Sequence, residues 1–169
     1  MADVSDKKLA ESILQQLLVG AAVNGLRFGA LQLLFDTQEV NGEPYINLAS
    51  AWVLYPARPE TFPENETDVE ELSMEEEILF AVSLRHKVVS SVEILEPWPH
   101  LVLTFTDNSV LYLNGKNIKY EPWSAGLNGV PTDENIQIIA CPGGGLAFFL
   151  PPSLSANPSF KRDALKRAP

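Results

Sequence analysis

The sequence predicts an α+β fold in which two related halves, each a helix followed by antiparallel strands, form one domain with a largely antiparallel sheet. Three observations carry this reading. The segment Leu31-Gln-Leu-Leu-Phe35 recurs as Leu101-Val-Leu-Thr-Phe105. Each copy follows a helix-like stretch and a short apolar strand. Each is followed by a tryptophan, Trp52 after 17 residues and Trp123 after 18.

The first helix is expected over Ser5–Leu18. Ser5 can cap it, Asp6 suits the positive end of its dipole, and Leu9, Ile13 and Leu17 recur at i, i+4 and i+8. Gly20 ends it. Val23–Phe28 and Ala30–Asp36 read as strands, and Asn41-Gly42 is a two-residue turn signal that leads into a third over Tyr45–Leu54.

Pro56, Pro59 and Pro63 then break regular structure, and residues 57–72 read as an acidic linker between halves at about 5–56 and 73–152. From Glu60 to Glu77 there are nine acids and no base. Ser73-Met-Glu-Glu76 is a capping box: the serine oxygen accepts an amide N–H three residues on, and Glu76 reaches back. It opens a second helix, Met74–His86, expected to pack Ile78, Leu79 and Val82 and to cover the sheet together with the first. Arg85, His86 and Lys87 complement its C-terminal dipole.

Further strands are expected over Val88–Leu95, His100–Thr106, Val110–Leu113, Lys119–Trp123, Gln137–Cys141 and Leu146–Leu150. Asp107-Asn108 and Asn114-Gly115 supply turns. Pro151-Pro152 closes the domain at 1–152. The tail, 153–169, carries four bases against one acid, has little periodicity and is expected to be mobile at its end.

With 169 residues the chain buries roughly 70% of its unfolded surface and needs no disulfide or metal to hold a core. The single cysteine, Cys141, leaves no intramolecular disulfide and fits a reducing, cytoplasmic setting. The N-terminus lacks the basic start and apolar run of a signal peptide. Asn24, Arg27, Gln32 and three glycines interrupt the apolar stretch from Leu17 to Phe35, so no membrane span is expected. A net charge of −10 argues against nucleic acid as a partner.

The second-half motifs resemble those of a group of small bacterial proteins of unknown function. That group carries L-x-L-x-F-x-D, Y-E-x-W and P-G-G-x-L-A, read here as Leu101–Asp107, Tyr120-Glu-Pro-Trp123 and Pro142-Gly-Gly-Gly-Leu-Ala147. The resemblance covers about 17–150. It implies a bacterial cytoplasmic protein and suggests at most an immunity-like role, neutralising a partner toxin. The long acidic segment and the basic tail depart from the group's compact pattern.

No catalytic, cofactor or metal residues emerge. His86 and His100 stand in no legible arrangement with Cys141, the histidine and cysteine spacing matches no zinc site, and the acids lack the order of a calcium loop. Cys141–Gly145 reads as a tight turn, with anion binding as the competing reading. The chain is therefore expected not to be an enzyme.

Two functional readings remain. The first is a protein-binding module that meets a basic partner through Glu70, Glu71, Glu75, Glu76, Glu77, Tyr120, Glu121 and Trp123, where charge steers association and aromatics anchor it. The same acids also suit a merely solvated loop, and Trp123 an inward-packed strand residue. The second is a small-ligand pocket between the halves near Trp52 and Trp123. Self-association through a free strand edge is open to either.

Overall fold

The computed structural model describes residues 4–155. Helix α1 (Val4–Leu18) leads into strands β1 (Ala22–Arg27), β2 (Gln32–Asp36), β3 (Glu43–Leu48) and β4 (Trp52–Tyr55). Helix α2 (Met74–Ser83) precedes β5 (Val89–Ile94), β6 (Leu101–Phe105), β7 (Val110–Leu113), β8 (Trp123–Asn128), β9 (Gln137–Ala140) and β10 (Leu146–Phe149). A single-turn helix, α3 (Pro152–Ser155), follows. The fold is α+β and mostly sheet. The remainder of the basic tail lies outside the described residues.

Two antiparallel sheets form, ordered β1-β2-β3-β8-β9-β10 and β4-β7-β6-β5. Each three-stranded meander is extended by a strand distant in sequence: β8 extends β1-β2-β3, and β4 extends β5-β6-β7. The registers correspond. Val23 faces Phe35 and Val89 faces Phe105, and the ladder shifts just after each valine. Trp52, opening β4, faces Leu113; Trp123, opening β8, faces Leu48. The sheets meet where β1 begins, through Gly20 N–H to Val89 O (2.8 Å) and Val89 N–H to Ala21 O (3.0 Å).

Alternation along β6 and β7 sorts the core. Leu101, Leu103, Phe105, Leu111 and Leu113 join the large cluster shared by α1 and both sheets. Val102, Val110 and Tyr112 face the other way and join Val69 in a second cluster. Helix α1 is tied to β5 by Glu11, which accepts from Ile94 N–H (2.7 Å), and by Gln15, which donates to Val92 O (3.2 Å).

Several expectations need correction. The strand expected over Tyr45–Leu54 is two strands in different sheets. The chain turns at Ala49–Ala51, and Ser50 donates its hydroxyl to Asn114 O. The loop before β3 spans 37–42 rather than two residues, with Val40 buried within it. The second helix ends at Ser83, because His86 adopts φ 70° and its N–H is captured by Val23 O (2.8 Å).

The strand expected over Lys119–Trp123 instead begins at Trp123 and runs to Asn128. Its small residues hid it from propensity. They are needed, since a Cβ on Gly126 would sit 2.1 Å from Ile136 O. Nor does α2 bury Leu79 and Val82: the helix turns Ala81 inward, with Leu84 just beyond it, and exposes the other two.

Candidate functional site

The acidic segment is not a free linker. Phe62 stacks on Tyr112 at 5.2 Å and meets Tyr55 edge-on at 6.1 Å, while Val69 packs beside Val102 and Val110. The segment therefore lies along the face of the four-stranded sheet opposite the large core. Polar ties fix it further. Lys116 reaches Glu64 (3.1 Å) and Asn65 Oδ1 (2.7 Å), and the Tyr112 hydroxyl donates to Pro63 O. Glu66 accepts from Ala51 N–H (3.2 Å), Asn117 Nδ2 (3.2 Å) and the Tyr120 hydroxyl (2.6 Å). Burial and the Glu66 carboxylate together push the Tyr120 phenol up to about 12.

Not every acid is consumed in this way. Asp68 accepts from Asn65, and Glu76 completes the capping box on Ser73 N–H at 2.8 Å. That bond holds the Glu76 carboxyl below its usual range. The carboxylates of Glu70, Glu71, Glu75 and Glu77 have no hydrogen-bond or ion-pair partner among the described residues. Glu77 is half-buried, and desolvation raises its pKa.

Glu70, Glu71 and Glu77, with Glu66, line a cleft of about 780 Å³ against Ser50 and Trp52 at the crossing between the sheets. Among the described residues no basic side chain lines it. A smaller groove of about 230 Å³ lies beside it, between β4 and residues 69–72, and Phe80 of α2 closes one side.

Helix α2 stands next to these cavities with its apolar side outward. Met74 is 74% exposed, Leu79 69%, Val82 52% and Phe80 46%. The capping box closes its N-terminus. The opposite side turns Ala81, and Leu84 just beyond the helix, into the large core.

The residues singled out in the sequence are brought together in part. Glu70, Glu71 and Glu77 share the cleft, Glu75 and Glu76 occupy the first turn of α2, and Tyr120 borders the cleft through Glu66. Glu121 is exposed, and its charge acts on Cys141. Trp123 must be withdrawn as a surface aromatic. It is fully buried and donates its indole N–H to Pro99 O at 2.6 Å. It lines neither cavity at Trp52, so the pocket expected near both tryptophans adjoins Trp52 alone.

Sequence reasoning missed Glu66 as an organising anchor and Leu79, Phe80 and Val82 as surface. For Glu66, the only signal was its place in the acidic run. For α2, the cue was a weak one: a fully apolar Ile78–Val82 stretch too wide for one buried stripe.

The titratable groups outside this region serve the fold. His100 is buried, and its Nδ1 accepts the backbone N–H of Gly115 at 2.9 Å, which places the proton of the neutral ring on Nε2. Burial, aided by Lys116, pulls its pKa down to about 4. The Cys141 thiol is raised by burial and by Glu121. Its Cys141 N–H closes on Gly145 O at 2.9 Å in the turn that Gly143 and Gly144 make with positive φ. Among the described residues no group of three or more histidines, cysteines or acids is placed to hold a metal, and no helix is long and apolar enough to cross a membrane.

Comparison with protein families, with curated proteins and with solved structures returned no match, so the bacterial resemblance rests on the quoted motifs alone.

Proposed function

We propose that this chain is a non-enzymatic binding protein that docks a basic protein partner on the outward face of α2 and the acidic cleft beside it. One observation carries the reading: Met74, Leu79, Phe80 and Val82 are exposed on α2, whose Phe80 and Glu77 border cavities lined by carboxylates without a partner among the described residues. Exposed apolar side chains bordered by charge are the usual anatomy of an interaction site, with the apolar anchors giving affinity and the charges steering approach. The chain's net charge of −10 disfavours a second copy on this face and favours a cationic partner. Neutralising a basic toxin in the bacterial cytoplasm is the form of this role that the motif resemblance suggests.

The small-ligand reading has the cleft volume in its favour, since about 780 Å³ falls within the usual range for such pockets. Its several carboxylates suit a charged partner better than an apolar one.

The test is parallel affinity capture with three forms of the chain: wild type, Leu79→Ser/Val82→Ser, and Glu75→Gln/Glu76→Gln/Glu77→Gln. Glutamine retains the capping box, so the third form keeps α2. Support is a basic protein that the wild type holds, that leaves at moderate salt, and that both variants lose. Identical recoveries from all three forms, or bait alone from the wild type, would overturn the proposal.

A further inference from the structure

We infer that the cleft at Trp52 receives a lysine or arginine of the partner, whose neighbouring main-chain carbonyl accepts the Trp52 indole N–H. This rests on the docking reading above and names the chemistry of the segment that enters.

Two independent demands define the occupant. The first is positive charge. Glu70, Glu71 and Glu77 line the cleft without partners among the described residues, and no described base offsets them. Glu66 adds a fourth carboxylate, already oriented by Ala51, Asn117 and Tyr120.

The second demand is an acceptor. Trp52 is only 2% exposed, and its ring borders both the cleft and the adjoining groove. Its Nε1–H is buried with no acceptor among the described residues. The contrast with Trp123 is internal to the fold. At the corresponding register position, Trp123 gives the same group to Pro99 O at 2.6 Å.

An ammonium or guanidinium supplies only donors and cannot answer the indole. A peptide bond can, and a basic residue within a peptide supplies both parts at once. The cleft has room for one side chain with its main chain. Because the indole N–H is covered in the free chain, engaging it requires a local shift around Trp52. Binding is therefore expected to change the environment of Trp52.

The experiment titrates the full chain with three probes: an end-blocked alternating Arg–Gly peptide, the matched Gln–Gly peptide, and spermidine, a cation without a carbonyl. Calorimetry reads affinity, and tryptophan fluorescence reads the ring. The expected result is binding of the Arg–Gly peptide alone with a fluorescence change. Glu70→Gln/Glu71→Gln is expected to weaken it at least tenfold and Trp52→Phe several-fold. Thermal melts establish that each variant is folded.

Equal binding of spermidine and the peptide, with no sensitivity to Trp52→Phe, would overturn the inference and leave bulk charge attraction. So would absence of peptide binding. The two proposals fail separately. A basic partner lost from the α2 variant but held normally by Trp52→Phe and Glu70→Gln/Glu71→Gln would retain the docking face and reject this cleft.

Discussion

Trp52 and Trp123 occupy matching positions, each opening a strand opposite the last residue of a meander, yet of the two only Trp123 finds an acceptor for its indole N–H among the described residues. The difference makes the two rings unequal in stability. Trp123→Phe removes the donor and strands the buried Pro99 carbonyl, which is expected to cost about 1–3 kcal/mol beyond the change in packing. Trp52→Phe removes a donor that was already unpaired and is expected to cost only the change in packing. Urea unfolding of the two variants measures the gap, and equal losses would contradict the assignment.

Phe35 and Phe105 are the central buried rings of the two meanders, each opposite a valine at a register shift. Replacing either with alanine is expected to cost about 3–5 kcal/mol, combining lost transfer energy with a cavity. Chemical denaturation tests this, and a near-neutral shift at both sites would remove them from the core.

Acid sensitivity is expected from His100. Its folded pKa of about 4 lies below the unfolded value of 6.5, so between these pH values the unfolded chain binds a proton that the folded chain refuses. The contribution to stability is full above pH 6.5 and declines as pH falls toward 4, by on the order of 3 kcal/mol in total. Protonating Nδ1 also opposes the Gly115 N–H that it accepts. His100→Asn, which can present an oxygen to Gly115, is expected to flatten stability against pH in that window. Unfolding measured from pH 4.5 to 7.5 would show an unchanged slope if another group were responsible.

Gly126 and Gly115 are held by contact more than by backbone conformation. A Cβ at either position meets a carbonyl oxygen at 2.1 Å, that of Ile136 for Gly126 and of Pro99 for Gly115. Alanine at each is expected to cost at least about 1–3 kcal/mol through forced backbone shifts. Alanine at Gly143 has open space and is opposed by its positive φ alone, so its cost is expected to be smaller. A melting series across the three positions checks the order.

The sequence by itself determined features whose physics is confined to a few neighbouring residues. The Ile13–Leu17 stripe set the buried side of α1, Ser73 and Glu76 set the start of α2, and the Leu101–Phe105 alternation set a strand. These depend on helical or strand periodicity and on hydrogen bonds spanning three residues, all visible in one segment.

Tertiary structure alone decided where that information met its partners. The bend at Ala49–Ala51, which sends β3 and β4 to different sheets, is joined to Asn114, far along the chain. The small residues of β8 make a strand only because β3 and β9 flank it. Helix α2 could have buried either side; capture of the His86 N–H by Val23 and packing of Ala81 and Leu84 chose which apolar residues face outward. Trp52 and Trp123 likewise look alike in sequence, and only the position of Pro99 separates a satisfied indole from one with no acceptor among the described residues. Periodicity shows that a face is apolar, but what covers it is set by residues distant in sequence.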